Sequence, residues 1–198
     1  MSFAVNARKV RNEGLPHARR VSGLHSCVQK YHPLGFLATL SFLEHLAGPY
    51  KKDPEALLRA LDTLTASRDR WKQATENYAT QRRQAKSRGE RTPRPYDPNP
   101  SPAPDQWYGA AKHGALHALS FRQSRGTLPA ATDDVATDIH ALVTATLSSG
   151  GRLSPDDRAL LIDLTAELRR RLRTRNNNAR TEAWSLYQVT RFITTATA

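Results

Sequence analysis

The chain has 198 residues, of which 38% are hydrophobic and 7% aromatic, so it can build a core and is not a wholly disordered chain. Thirty Lys and Arg against eighteen Asp and Glu leave a formal net charge of +12, which favours a polyanionic partner, nucleic acid first and an anionic membrane surface second. A single cysteine, Cys27, excludes an intrachain disulfide and a zinc or iron–sulfur site built from cysteines.

Apolar residues at helical spacing predict helices throughout the first half of the chain, without the alternating pattern that is typical of strands. The first predicted helix covers His17–Lys30. The second covers 34–47, and its apolar residues on most faces predict a buried central element. A third begins after Asp53, which can cap a helix N-terminus, and extends to about Lys86.

The second half begins with a proline-rich segment at 92–104, where six prolines predict an extended linker or an exposed loop. Asp105 can then cap a helix from Trp107 to Phe121, and three more helices are predicted around 133–147, 155–172 and 179–193. The predicted fold class is therefore all-α, a helical bundle of about six or seven helices. We expect a single helical domain over 1–198 with an insertion at about 50–130.

The start of the sequence lacks the apolar core of a signal peptide. The longest apolar-rich stretch, 34–46, is too short and too polar to cross a bilayer. We therefore expect a cytoplasmic protein that makes no contact with a membrane.

Residues that commonly carry chemistry are few and have structural explanations. His113 and His117 have a spacing that can place two imidazoles on one metal ion, but no third ligand is indicated, so two ordinary helix histidines are the favoured interpretation. Cys27 lies on the apolar side of its helix and is interpreted as a buried structural cysteine. Aspartates gather at predicted helix N-termini, where they complement the helix dipole. We expect no enzyme activity, cofactor, metal ion or small-molecule substrate.

Basic residues cluster in three segments. Residues 1–30 hold six Lys and Arg against one acid, and 169–175 hold five arginines at the end of an amphipathic helix. The helix dipole accounts for one or two of those five, so two interpretations stay open for them: contact with nucleic acid, or a solvated basic face. The third cluster, 81–91, is explained equally well as the basic end of a helix that keeps the protein soluble. The residues predicted to contact phosphates are Arg19, Arg20, Lys30, Arg170, Arg171, Arg173 and Arg180.

Two segments of the sequence resemble a known family. In 24–43, a helix with a short apolar ending is followed by a turn at Leu34-Gly35 and then by Ala38, Leu40, Phe42 and Leu43 at the spacing Ala-x-Leu-x-Phe-Leu. The closing segment, 179–192, places a Glu-Ala pair before aromatic and aliphatic residues and a basic-aromatic pair. Together these segments resemble the small helical subunit of type III-B CRISPR effector complexes, the Cmr small-subunit family, over about 6–47 and 155–195.

The resemblance implies a non-catalytic protein of antiviral defence. Subunits of this family stack along a ribonucleoprotein and contact the backbone phosphates of guide RNA and target RNA without reading the sequence. Their partners are the other subunits of the effector complex. Base pairing then provides specificity, and the protein provides charge and shape.

Two other functions are compatible with a basic helical protein. The first is a helical DNA-binding regulator of plasmid or phage origin, although 34–46 is too apolar for the recognition helix of a helix-turn-helix motif. The second is a protein–protein adaptor in which the proline-rich segment binds an aromatic groove. The neighbouring genes would distinguish both functions from that of a CRISPR effector subunit.

Overall fold

A computed structural model describes residues 2–90, 103, 106–173 and 176–198. The predicted all-α class is confirmed, because the described residues form eight α-helices and no strand. The helices are α1 Phe3–Arg11, α2 His17–Lys30, α3 Phe36–Ala47, α4 Pro54–Ser87, α5 Ala111–Ser124, α6 Asp134–Ser148, α7 Pro155–Arg171 and α8 Asn177–Thr197. The proline-rich segment predicted at 92–104, apart from Ala103, and the predicted cap Asp105 lie outside the described residues.

The described helices form two compact units. The first contains α1 to α4 together with 106–109, and the second contains α5 to α8. This division differs from the expected single domain with an insertion at about 50–130. The difference arises because α4 packs against the three helices before it, whereas α5 packs against α6 and α8.

The core of the first unit lies where α2 and α4 face each other and α1 and α3 cover them. Its apolar residues include Val10, Leu24, Phe42, Leu61 and Leu64, all of them buried. The long side chains at i, i+3 and i+4 of each helix supply this surface, as the apolar periodicity predicts. Burial of the complete set is the main force that holds these helices together.

Aromatic side chains also contribute to the core of the first unit. The hydroxyl groups of Tyr31 and Ser67 are hydrogen-bonded at 2.8 Å, and the ring of Tyr31 stacks on Trp71. Trp107 packs edge-on against Phe42, with 5.2 Å between the ring centroids. The prediction that Trp107 begins a helix is wrong, because α5 starts four residues later and Trp107 belongs to the core of the first unit.

The last helix, α8, is central to the second unit, where it contacts α5, α6 and α7. Val189 and Ile193 of α8 are fully buried. The helix predicted to be amphipathic, α7, turns a row of leucines inward, and Leu168 is the most buried of them. Burial of apolar side chains between helices therefore holds this unit together as well.

Side chains cap the N-termini of three of the described helices, and the cap predicted at Asp53 is confirmed. The carboxylate of Asp53 accepts a hydrogen bond from the Glu55 amide at the start of α4, and Ser154 accepts one from the Asp157 amide at the start of α7. At α6, Asp133 accepts a hydrogen bond from the backbone of Ala136. Each bond satisfies an amide that has no partner within its helix.

Two further differences concern the N-terminal helices. The nine-residue α1 is not among the predicted helices, although Ser2 is its N-cap and its buried face is Phe3, Asn6, Ala7 and Val10. The second predicted helix starts later than expected, because 32–35 form a turn that ends at Gly35 with a φ of 91°. This α3 is also less buried than predicted, since Leu37 and Leu46 are exposed.

Candidate nucleic-acid interface

The predicted cations of α2 separate into an exposed pair and a buried residue. Arg19 and Lys30 lie eleven positions apart on one face of the helix, about 16 Å along its axis at a rise of about 1.5 Å per residue. Both are exposed, and neither pairs with a carboxylate in the part of the chain that the structure describes. Ser22 and Ser26 lie between them, so the edge combines positive charge with hydroxyl groups.

Arg20 does not belong to this exposed edge. It lies about 100° around the helix from Arg19, faces α1, and is 6% exposed. Its Nε donates a hydrogen bond to the backbone carbonyl of Val10 at 2.8 Å, and it therefore joins α2 to the end of α1. We correct the sequence prediction accordingly: Arg20 holds two helices together within the protein.

A cleft of about 280 Å³ lies between α1 and α2 beside Arg19. Arg19, Ser22 and Ser26 line it from α2, and Asn6 and Lys9 line it from α1. The helices come close at Gly23, where an added Cβ would lie 3.1 Å from a methyl group of Val10. The cleft is absent from the sequence-based expectations because they do not include α1. The signal that could have indicated α1 is Ser2, a residue type that caps helix N-termini.

The arginines at the end of α7 are partly engaged within the second unit. Arg171 donates hydrogen bonds to Asp133 at the start of α6 and to Glu167 one turn earlier in α7. Arg170 forms an exposed ion pair with the other oxygen of Glu167 at 2.7 Å. Arg171 therefore connects α7 to α6, whereas the pair made by Arg170 is of the exposed i, i+3 type that contributes little to stability.

The contact between Arg171 and Asp133 also affects both ionisable groups. The hydrogen bond from Arg171, together with that from the Ala136 amide, lowers the pKa of Asp133. The same bond and the one to Glu167 raise the pKa of Arg171. Both groups are therefore charged at neutral pH, which strengthens the connection between the helices.

The other cations around α7 and α8 have different environments. Arg173 is exposed in the turn after α7, and Arg180 is exposed in the first turn of α8, where it donates to the Asn177 side chain at 3.0 Å. The guanidinium of Arg169 lies over the ring of Tyr187. Arg175 lies outside the described residues. Some arginines of the second cluster therefore make contacts within the protein, and others expose their charge to solvent.

The third cluster lies on the outer part of α4. Beyond Ser67, the described part of this helix has one buried residue, Ala85. Exposed cations here include Lys72, Arg83 and Lys86, while Arg88 pairs with Glu90. This part of α4 therefore has a charged surface.

The remaining candidates for catalysis or metal binding are Cys27 and the histidine pair His113 and His117. Cys27 is fully buried, its thiol faces the carbonyl of Phe3, and burial raises the pKa of the thiol to about 11. His113 is exposed on α5, one turn before His117. Among the described residues, no three His, Cys, Asp or Glu side chains come together as a metal site. None of the described helices combines the length and apolar character needed to cross a membrane.

No family model, no curated protein and no solved structure matches the chain.

Proposed function

We propose that this protein is a non-catalytic subunit that binds the RNA backbone without reading its sequence, as part of a type III-B CRISPR RNA-guided antiviral effector complex. The observation that carries the proposal is the exposed edge of α2. Arg19 and Lys30 stand there on one face without carboxylate partners in the described part of the chain, and hydroxyl groups lie between them. Guide RNA, target RNA and the other subunits of the complex are the proposed partners.

The distribution of charge supports binding to phosphates. Several carboxylates of the first unit already pair with a cation of the same unit, as Asp62 does with Arg11 and Glu44 with Lys51. The excess of cations over carboxylates therefore leaves positive charge at the surface that no carboxylate neutralises. A polyanion that neutralises this charge releases its condensed counterions, and this release favours binding to any RNA sequence.

The structure narrows the set of proposed phosphate contacts. Arg20 and Arg171 hold helices together, so we do not include them. The contacts that we propose are Arg19, Lys30, Arg170, Arg173 and Arg180. The first two belong to the first unit and the other three to the second, so each unit offers its own basic surface.

The geometry does not favour a helix-turn-helix regulator. In that motif the second helix presents polar side chains to the edges of the bases. Here α3 follows the turn at 32–35, and it has no Lys or Arg. Its exposed positions include Leu37 and Leu46, which cannot read bases by hydrogen bonds.

Binding of unrelated RNA oligonucleotides to the Arg19→Gln/Lys30→Gln variant tests the proposal. Fluorescence anisotropy at several salt concentrations should show weaker binding by a similar factor for every sequence. For single-stranded RNA, the slope of log K against log salt should decrease by about 0.7 for each phosphate that the variant no longer neutralises. Glutamine keeps the length and the helix propensity of the side chain, so the fold should remain intact.

A matched control distinguishes binding at a defined site from a general effect of net charge. The Arg11→Gln/Lys51→Gln variant removes the same charge at cations that pair with carboxylates. It should bind RNA more tightly than the α2 variant does. Equally weakened binding in both variants would contradict a defined site on α2, and weakening confined to one RNA sequence would favour base recognition.

Co-purification tests the proposed complex directly. The tagged protein should recover the products of neighbouring genes together with guide RNA, which sequencing of the bound RNA would identify. Recovery of the protein alone, or with DNA, would contradict this part of the proposal.

A further inference from the structure

The surface of the second unit has a groove between α7 and α8, with a volume of about 490 Å³. Its wall on α7 includes three apolar residues, Leu161, Ile162 and Ala166. Ile162 is 68% exposed, although isoleucine is among the residue types that are most often buried. Apolar surface within a groove that has a polar rim is typical of binding sites.

The wall on α8 includes threonines whose hydroxyl groups already have partners within that helix. Thr194 donates a hydrogen bond to the carbonyl of Thr190 at 2.9 Å, and Thr197 donates one to the carbonyl of Ile193 at 3.0 Å. A ligand therefore does not have to satisfy these donors. Together, the two walls offer mainly apolar contact along the groove.

Positive charge lies at both limits of the wall on α7. Arg158 and Arg169 are the first and the last residues of this helix that line the groove, eleven positions apart and about 16 Å along the axis. The guanidinium of Arg169 also lies over the ring of Tyr187. Among the described residues that line the groove, none has an acidic side chain. Asp163 follows Ile162 in the sequence but lies about 100° further around the helix.

We propose that this groove binds an amphipathic α-helix of another protein, with aliphatic side chains on one face and a carboxylate near each end of that face. Charge complementarity selects this occupant, because its carboxylates would meet Arg158 and Arg169 while its aliphatic face would cover Ile162. About eleven residues of a helix span the distance between the two arginines, which is three helical turns.

Other occupants match the groove less well. A second copy of the chain, bound through the same surface, would bring arginines against arginines. A fatty acid has one carboxylate and would leave one arginine without a partner. RNA offers phosphates to the arginines but no aliphatic side chain to the apolar wall. The inference goes beyond the proposed function and does not depend on it, because the groove includes none of the residues proposed to contact RNA.

Three synthetic helices test the charge requirement on the full chain. They share one leucine face and carry either glutamate, glutamine or lysine at two positions that are eleven residues apart. Fluorescence anisotropy should show the tightest binding for the glutamate helix and the weakest for the lysine helix. In Arg158→Glu this preference should disappear, because one end of the groove becomes negative. The matched control, Arg152→Glu, makes the same charge change at an exposed residue outside the groove and should keep the preference.

The Ile162→Gln variant tests the apolar contact. Affinity for the glutamate helix should fall about tenfold, since the variant loses an aliphatic side chain that the ligand buries. Leu37→Gln is the matched control, because Leu37 is similarly exposed, at 62%, on a helix of the first unit. It should leave the affinity unchanged. The melting temperatures of all variants should stay close to that of the wild-type protein, because each changed side chain is exposed.

Several results would overturn the inference. These are no binding of any of the three helices, equal affinity for all three, or unchanged affinity in Ile162→Gln. Binding of RNA or of oleate that Ile162→Gln weakens would assign the groove to that ligand instead. A dimer in sedimentation velocity that Ile162→Gln dissociates would assign it to a second copy. Binding of the glutamate helix by a chain that does not bind RNA would support the groove and contradict the proposed function.

Discussion

The contact between Asp133 and Arg171 allows a quantitative test of how α6 and α7 are joined. Asp133 caps α6 and also accepts a hydrogen bond from Arg171. Removal of an N-cap costs about 1 kcal/mol. The ion pair adds about 0.5 kcal/mol, because its side chains are 40% and 36% exposed and salt screens their attraction.

We therefore expect Asp133→Ala to lower the free energy of unfolding by about 1.5 kcal/mol, the sum of both contributions. Asp133→Ser keeps a capping oxygen and should cost about 0.5 kcal/mol. Urea unfolding followed by circular dichroism measures both values. High salt should reduce the cost of the serine variant and leave the additional cost of the alanine variant unchanged.

The pH dependence follows from the lowered pKa of Asp133. The folded-state pKa lies below the value of about 3.9 for aspartate in an unfolded chain. Stabilisation by the carboxylate is therefore complete above that value and disappears as the pH falls through the folded-state pKa. The difference between the wild-type protein and Asp133→Ala should accordingly narrow in acid. Equal costs for the serine and alanine variants at neutral pH would refute the assignment of the cap.

Three further predictions concern buried positions. Gly151→Ala should destabilise the second unit by about 1–3 kcal/mol in thermal unfolding, because φ is 87° and an added Cβ would collide with the Ala196 carbonyl; an unchanged melting temperature would contradict this. Leu168→Ala should cost about 2–5 kcal/mol in urea unfolding, since the side chain is fully buried. Cys27 should resist alkylation at pH 8 until urea unfolds the protein, because it is buried and its pKa is about 11; rapid alkylation of the folded protein would disagree.

The sequence predicts helices best where local signals agree with packing. Asp53 and Ser154 are caps because their side chains bond to amides two or three residues away, a property of the local sequence. The leucines of α7 face inward because a single amphipathic pattern defines their face. Such interactions are contained in a short window of residues.

The errors arise where distant contacts decide the structure. Local spacing places Trp107 in a helix, but its packing partner Phe42 is far away in the sequence. Arg19 and Arg20 are neighbours in the sequence and are therefore predicted to act together. They point in different directions around the helix, so that Arg19 is exposed and Arg20 is buried against α1. The cleft at Asn6 needs two helices to meet at Gly23, which no single segment specifies.

Dependence on distant contacts also explains why the sequence does not predict what the arginines at the end of α7 do. Five arginines in seven residues indicate positive charge but not its use. Arg171 contacts an aspartate 38 positions earlier, so its structural role depends on how α6 packs. Arg170, one position earlier, keeps its guanidinium largely in solvent.

The central place of α8 in the second unit has a consequence for synthesis on the ribosome. The helices α5, α6 and α7 each contact α8, so their apolar faces lack their main cover until α8 has been made. At about 5 to 20 residues per second, this exposure lasts several seconds. The helices of the first unit are complete by then, because α4 precedes α5. Ribosome-bound chains that end before α8 should therefore carry a folded first unit and a second unit that proteases cleave readily.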